Sequence, residues 1–179
     1  GADEGSDGEW QAISDAISEA VGGAKVIDLH THLFPPSHGD LMLWGIDAML
    51  TYHYLVSEFF MVAPHDLTTQ HFFSLPRPQQ ADLVWEYLFQ MRLPLSEAQI
   101  GVVTTLKELG LGDAVRARDL GAIRRWFAEQ DPDVHVQNVL RVAGVDHVIM
   151  TNIPFDEREA QHWLDKKPVP KCFKSALRV

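Results

Sequence analysis

The sequence is poor in cysteine and in basic residues. Its one cysteine, Cys172, cannot form an intrachain disulfide, which fits a reducing compartment. Lys and Arg number 15 against 25 Asp and Glu, and the net charge of −10 disfavours nonspecific binding to nucleic acid or anionic membranes. No run reaches the ~18 apolar residues of a membrane span, and the acidic first residues lack the pattern of a signal peptide. We therefore expect a cytoplasmic protein without nucleic-acid or membrane partners; a homo-oligomer is left open.

The composition and the apolar spacing predict a globular domain with parallel α/β organisation. Hydrophobic residues make up 46% and charged residues 22% of the chain, as in ordinary globular proteins. The pattern predicts, in order, a helix from Trp10 to Val21, a strand at 25–30, helices within 35–143, a strand at 146–151, a helix at 155–164 and a strand at 171–178. Strands that alternate with helices favour a parallel sheet, and we expect the three strands to be adjacent in chain order.

The segment 35–143 is predicted to be a large helical insertion after the first strand. Its helices are expected at Ile46–Phe60, Gln79–Arg92, Ser96–Leu109, Leu120–Gln130 and Val134–Val142. Ser96 and Gln99 form a capping-box pattern, and Gly110 follows the predicted helix end. The neighbouring Arg124 and Arg125 are predicted to lie on a solvated helix face.

The last predicted strand reaches the end of the chain. A parallel sheet needs cover on both faces, and a (β/α)8 barrel typically takes about 250 residues. We therefore expect an α/β fold that is the N-terminal part of a (β/α)8 TIM-type barrel, with residues 1–179 forming a partial barrel and the remainder of the barrel absent from this chain.

The most informative motif is the pair His30 and His32 at the end of the first predicted strand. A strand places residues i and i+2 on one face, so the two imidazoles lie side by side. Neutral imidazoles ligate divalent metals, and zinc is the expected occupant. The apolar residues before the pair, Val26, Ile27 and Leu29, predict a strand buried on both faces. Two loop histidines with ordinary hydrogen bonds are the alternative.

Further polar residues follow the predicted strands. Asn152 ends the second strand, Arg178 ends the third, and His53 and Tyr54 lie in the helical insertion. In a parallel barrel the C-terminal strand ends converge on the active site, so Arg178 would lie at the same end of the barrel as the histidine pair. A guanidinium there can hold a carboxylate with two hydrogen bonds.

This pattern resembles the uronate isomerases, also called glucuronate isomerases, of the amidohydrolase superfamily. The resemblance runs from Val26 to Val179 and includes the H-x-H motif, the long helical insertion, a His-Tyr pair and the Arg at the third strand end. The H-x-H motif is shared across the superfamily, whereas the His-Tyr pair and the Arg point to this family. One departure is Met150-Thr151-Asn152-Ile153-Pro154, where the family more often has consecutive aspartates before the proline.

The resemblance implies a metal-dependent aldose–ketose isomerase of hexuronates, such as glucuronate/fructuronate or galacturonate/tagaturonate. His30 and His32 would be metal ligands, His53 and Tyr54 would be catalytic groups near the reacting carbons, and Arg178 and Asn152 would bind the sugar acid. The reaction moves a proton between C1 and C2 through an enediol-like intermediate. The expected cofactor is a divalent metal, with zinc favoured, and this chain alone would be inactive because the other site residues lie on later strands.

Alternatives remain open for the function and for single residues. The H-x-H motif is shared with amidohydrolase-type metal-dependent hydrolases and decarboxylases, and a noncatalytic relative would keep the fold without the chemistry. His53 and Tyr54 are also compatible with core positions, and Tyr52 competes with Tyr54 for the catalytic role. Asp28 either orients an imidazole or caps a helix. Arg178 is also compatible with a surface cation.

Overall fold

A sheet of three parallel strands joins parts of the chain that lie far apart in the sequence. A computed structural model describes residues 4–153 and 155–178, with only the main chain of residues 4–7. Its strands are β1 (Val26–Thr31), β2 (Val145–Asn152) and β3 (Phe173–Leu177). Its α-helices are α1 (Glu4–Gly23), α2 (Gly45–Leu50), α3 (His53–Phe60), α4 (Thr69–Ser74), α5 (Arg77–Trp85), α6 (Glu97–Glu108), α7 (Gly112–Arg116), α8 (Leu120–Ala128), α9 (Pro132–Val142) and α10 (Glu157–Leu164).

The strand order is β1-β2-β3, and both pairings are parallel. The predicted topology of adjacent parallel strands is therefore confirmed, with α2 to α9 between the first two strands and α10 between the last two. Closure into a (β/α)8 barrel stays a prediction, because three strands do not close a barrel. None of the helices within 4–153 and 155–178 combines the length and the apolar character that a membrane span requires.

The burial predicted for the first strand is wrong. Val26 and Ile27 are about half exposed, at 50% and 49%, and Leu29 is 74% exposed. β1 is an edge strand of the described sheet, and the residues around it leave its apolar side chains uncovered. β2 shows the expected alternation instead, with Val148, Met150 and Asn152 buried. A buried parallel strand needs cover on both faces, and only the middle strand approaches that state here.

The chain divides into two compact units. One comprises the described residues up to His32 together with those from Gln137 onward, and it holds the sheet. The other, Leu33–Val136, contains most of the helical insertion that was predicted at 35–143, but residues 137–143 belong to the first unit. The insertion has an apolar core of its own, whose least exposed members are Leu50, Phe59, Phe72, Ala81, Val84, Leu106 and Ile123. The insertion is therefore a folded helical body and not an extended loop.

One predicted helix of the insertion is two helices. The pattern predicted a single buried helix from Ile46 to Phe60, but α2 ends at Leu50 and α3 begins at His53. Tyr52 adopts extended backbone, with φ −68° and ψ 142°, and the Thr51 hydroxyl donates to the Asp47 carbonyl at 2.7 Å. The apolar periodicity passes through this break because both short helices bury their apolar residues in the same core.

Local signals at α6 were sufficient to place its ends. Ser96 Oγ accepts a hydrogen bond from the Gln99 N–H at 3.1 Å, and Gly110 follows the helix with φ +83°. The Gln99 side chain differs from the capping-box prediction, because its Oε1 accepts from the Leu95 N–H. Glu58 Oε2 accepts from both Ser96 Oγ and Gln99 Nε2 at 2.7 Å, which ties this helix start to α3.

The predicted solvated face at Arg124 and Arg125 is wrong for Arg124. Its guanidinium bonds Asp47 Oδ1 at 2.8 Å through Nε, Asp82 Oδ1 at 2.7 Å through Nη1 and the Pro78 carbonyl at 2.9 Å through Nη2. Arg124 thus connects α8 with α2 and α5. Both carboxylates come from distant parts of the sequence, so no local pattern could have indicated these contacts.

We expect Arg124→Met to destabilise the helical insertion by about 2 kcal/mol, because hydrogen bonds to charged groups are worth roughly 1.5–3 kcal/mol and this site is partly solvated. Urea unfolding followed by circular dichroism would measure the change. Arg125→Met is the matched control, because Arg125 is an exposed neighbour on the same helix. Equal stability of the two variants would show that the Arg124 contacts do not hold the insertion together.

Candidate active site

His30 and His32 lie side by side at the end of β1. Their ring centroids are 5.2 Å apart with the planes inclined by 71°, an edge-to-face arrangement. Between them, Thr31 is buried and pairs with Met150 of β2. Alternation puts His32 on the face opposite to Thr31, and the short distance between the two rings places His30 on the same side. Their predicted placement on one face is therefore what the structure shows.

Asp28 supports this strand end through the main chain. Its Oδ1 accepts a hydrogen bond from the His30 N–H at 3.1 Å. The strand pairing is irregular between Asp28 and Thr31, so one residue of β1 is inserted there relative to β2. Asp28 therefore contacts the backbone of the H-x-H motif, whereas a role in orienting an imidazole or in capping a helix stays a prediction.

The histidine pair fits a metal as part of a ligand set. Tetrahedral zinc takes four ligands, or three protein ligands and a water. Within 4–153 and 155–178, no group of three or more His, Cys, Asp or Glu side chains is placed to hold a metal ion. His30 and His32 could supply two imidazole ligands, so the metal and its identity stay predictions.

Arg178 lies directly after β3 and is tied to the end of β2. Its N–H donates to the Asn152 carbonyl at 2.9 Å. The β2–β3 register pairs Met150 with Ser175 and Asn152 with Leu177, so Arg178 takes the alternate face of the sheet. The same alternation puts Arg178 on the face that carries His30 and His32. The predicted common face of the guanidinium and the histidine pair agrees with this register.

The Asn152 side chain points away from that face. Asn152 is 4% exposed, and its Nδ2 donates to Glu159 Oε1 of α10 at 2.8 Å. Its Oδ1 has no hydrogen-bond partner among the described residues. The predicted contact of Asn152 with the substrate stays a prediction, but its amide group is directed at a helix, and the neighbouring Thr151 takes the face of the histidines.

Glu159 is a buried carboxylate at the end of β2 that was not among the predicted site residues. It is 4% exposed, and its carboxylate also accepts from the Ile153 N–H at 2.8 Å and from Trp163 Nε1 at 3.0 Å. The available signal was Asp156-x-x-Glu159, since Asp156 caps α10 by accepting from the Arg158 and Glu159 N–H groups. That pattern indicates a capping box at a helix start, whereas Glu159 instead reaches the end of β2.

His53 and Tyr54 begin α3 in the helical insertion. The His53 ring lies next to two tyrosines, with ring centroids 4.3 Å from Tyr52 and 4.2 Å from Tyr54. Tyr54 is 59% exposed, so its hydroxyl is accessible, while Tyr52 is partly buried. Burial and the charge on Tyr54 raise the pKa of the Tyr52 hydroxyl. Of the two tyrosines, Tyr54 is therefore the more exposed.

Comparison with known proteins tests the resemblance to the uronate isomerases. No family model and no curated sequence matches the chain. A crystal structure of a uronate isomerase from Bacillus halodurans C-125 does match, with 43% sequence identity and a TM-score of 0.86 over 94% of this chain and 39% of that protein. The resemblance to the uronate isomerase family is confirmed. The chain spans 39% of the length of that uronate isomerase, so the activity of a whole protein does not follow from the match.

This uronate isomerase-like chain also has a polar cleft at the other end of its sheet. The cleft has a volume of about 400 Å³ and is lined by Gln137, Asp146, His147, Pro170, Lys171, Cys172 and Lys174. Asp146 accepts from His147 Nδ1 at 2.8 Å, and this hydrogen bond contributes most to the lowered pKa of Asp146. The cleft lies where β2 and β3 begin, away from the C-terminal strand ends that carry the chemistry of parallel barrels.

Proposed function

We propose that the protein is an aldose–ketose isomerase that acts on hexuronates. The observation that carries this proposal is the 43% identity to a uronate isomerase over 94% of the chain, together with the shared fold. Identity at this level goes beyond a common architecture, which alone would be compatible with many functions. The placement of His30, His32 and Arg178 at the C-terminal strand ends supports it further.

His30 and His32 are proposed to contribute two ligands of a divalent metal, with zinc favoured. When bound, such an ion supplies Lewis-acid polarisation of sugar oxygens. The role of the chain is to hold two neutral imidazoles at one strand end. Thr31, buried between them, and the Asp28 contact to the His30 N–H fix the main chain at this point.

Arg178 is proposed to bind the carboxylate that distinguishes a uronate from a neutral sugar. A guanidinium matches a carboxylate with two parallel hydrogen bonds, which gives orientation as well as affinity. Asn152 would serve substrate binding through its carbonyl, which holds the Arg178 N–H. Tyr54 and His53 are proposed to act at C1 and C2, where the isomerisation removes a proton from one carbon and delivers a proton to the other.

We expect Arg178→Met in the full-length protein to lower kcat/KM for glucuronate or galacturonate by at least about 10-fold, because a charged hydrogen bond is worth roughly 1.5–3 kcal/mol. Slow turnover of a neutral aldose, which lacks the carboxylate, should barely change. Lys174→Met is the matched control, since Lys174 is a cation on the same face of β3 near the beginning of the strand. If Arg178→Met turned over both uronates with the kcat/KM of the wild type, Arg178 would not be the residue that binds the carboxylate.

A further inference from the structure

We propose that Glu159 is a positioning residue for substrate binding, which sets the place of Arg178 through the main chain of Asn152 and Ile153. This inference rests on the proposed function, because it concerns the residue assigned to the uronate carboxylate. Glu159 lies on α10, on the opposite side of the sheet from the histidine face, so it does not contact the substrate itself.

Glu159 forms two hydrogen bonds with the end of β2. Its Oε1 accepts from Asn152 Nδ2 at 2.8 Å, and its Oε2 accepts from the Ile153 N–H at 2.8 Å. Trp163 Nε1, one turn further along α10, donates to the same Oε1 at 3.0 Å. All three partners are donors, and only a carboxylate offers acceptors on both oxygens. The two contacts with consecutive residues hold both the side chain of Asn152 and the main chain that follows it.

A main-chain hydrogen bond connects the end of β2 to Arg178. The Asn152 carbonyl, whose main chain is fixed by the Glu159 contacts, accepts the Arg178 N–H at 2.9 Å. The regular β3 pairing ends one residue earlier, at Leu177, so this hydrogen bond extends the ladder to Arg178. The Arg178 side chain is exposed, and a long side chain on a fraying strand end loses orientation. Through these contacts, Glu159 limits the motion of the Arg178 main chain and so helps to orient the Arg178 guanidinium.

The burial of Glu159 agrees with a supporting role. At 4% exposure, a carboxyl group is costly to keep unless its hydrogen bonds are satisfied, and here both oxygens are occupied. The contact to Trp163 stays within α10, whereas the contacts to Asn152 and Ile153 reach the sheet. The network therefore contains one local contact and two that act on the strand end.

The test uses Glu159→Gln in the full-length protein. The amide of glutamine has one acceptor oxygen, so it cannot accept from all three donors of the present network, and its hydrogen bonds to the end of β2 lack the charge that strengthens those of the carboxylate. We expect the Arg178 amide to exchange with deuterium about 10-fold faster, and KM for the uronate to rise about 5-fold with little change in kcat. In an Arg178→Met background, Glu159→Gln should have no further effect on KM.

Trp163→Phe is the matched control, because it removes the local donor and leaves both contacts with the end of β2. It should leave Arg178 exchange and KM at wild-type values. If Glu159→Gln does not fold, Asn152→Ala tests the same link, with faster Arg178 exchange as the expected result. The positioning role would be overturned if the Arg178 amide exchanged with deuterium at the wild-type rate in whichever of Glu159→Gln and Asn152→Ala folds. Equal effects of Glu159→Gln and Trp163→Phe would overturn it as well. Faster exchange in a protein that turns over no uronate would instead overturn the proposed function alone.

Discussion

Replacement of both His30 and His32 by asparagine is expected to abolish the proposed metal binding and to lower uronate turnover by about 1,000-fold or more, because Lewis-acid stabilisation is worth several kcal/mol. The physical reason is the adjacency of the two rings, 5.2 Å between centroids, at the end of β1. Metal content per chain, measured by elemental analysis after purification with zinc, should fall together with activity.

The control for the histidine pair is His65→Asn, a replacement of an exposed histidine in the insertion. It should keep both the metal and the activity of the wild type. A double variant at His30 and His32 that retained metal and turnover would show that this pair does not form the centre. Loss of metal without loss of turnover would separate metal binding at this strand end from the isomerisation.

Tyr54→Phe is expected to lower kcat for uronate isomerisation by about 100-fold, in the range that a positioned acid or base contributes. The substitution removes one hydroxyl and keeps the ring that lies 4.2 Å from His53. KM should change little, since the carboxylate anchor is untouched. Exchange of the C2 hydrogen with deuterated solvent should slow in parallel with kcat, because both need the same proton transfer.

Tyr52→Phe distinguishes the two tyrosines. Tyr52 also lies next to His53, with ring centroids 4.3 Å apart, is partly buried, and has a pKa that burial raises from its ordinary value. We expect its removal to leave kcat within about 3-fold of wild type. A larger loss in Tyr52→Phe than in Tyr54→Phe would assign the proton transfer to Tyr52.

The features that the sequence predicted well are those with a short-range signal. The placement of His30 and His32 on one face follows from the alternation of side chains along a strand. The start of α6 follows from the capping residues Ser96 and Gln99. The order of the strands follows from their alternation with helices. Each of these signals lies within a few residues, so tertiary context was not needed to interpret them.

The features that the sequence did not predict depend on distant neighbours. The burial of β1 requires cover that the described residues do not supply, so Leu29 is exposed despite its apolar context. Arg124 is paired with Asp47 and Asp82, which are remote in sequence. Glu159 and Asn152 are both polar and would be expected at the surface, yet both are buried, and a hydrogen bond from Asn152 Nδ2 to Glu159 Oε1 joins them across seven residues of sequence.

The reaction that we propose for the full-length protein is the interconversion of a hexuronate and its keto form. The most direct measurement is carbon NMR of D-glucuronate and D-galacturonate, each labelled at C2, incubated with the zinc-loaded full-length protein. We expect the C2 signal of the keto acid to appear as the aldose signal decays, and the reverse reaction when the keto acid is supplied. Persistence of both labelled uronates, in a preparation that hydrolyses an amide or a lactone, would contradict the isomerase assignment and replace it with a hydrolase.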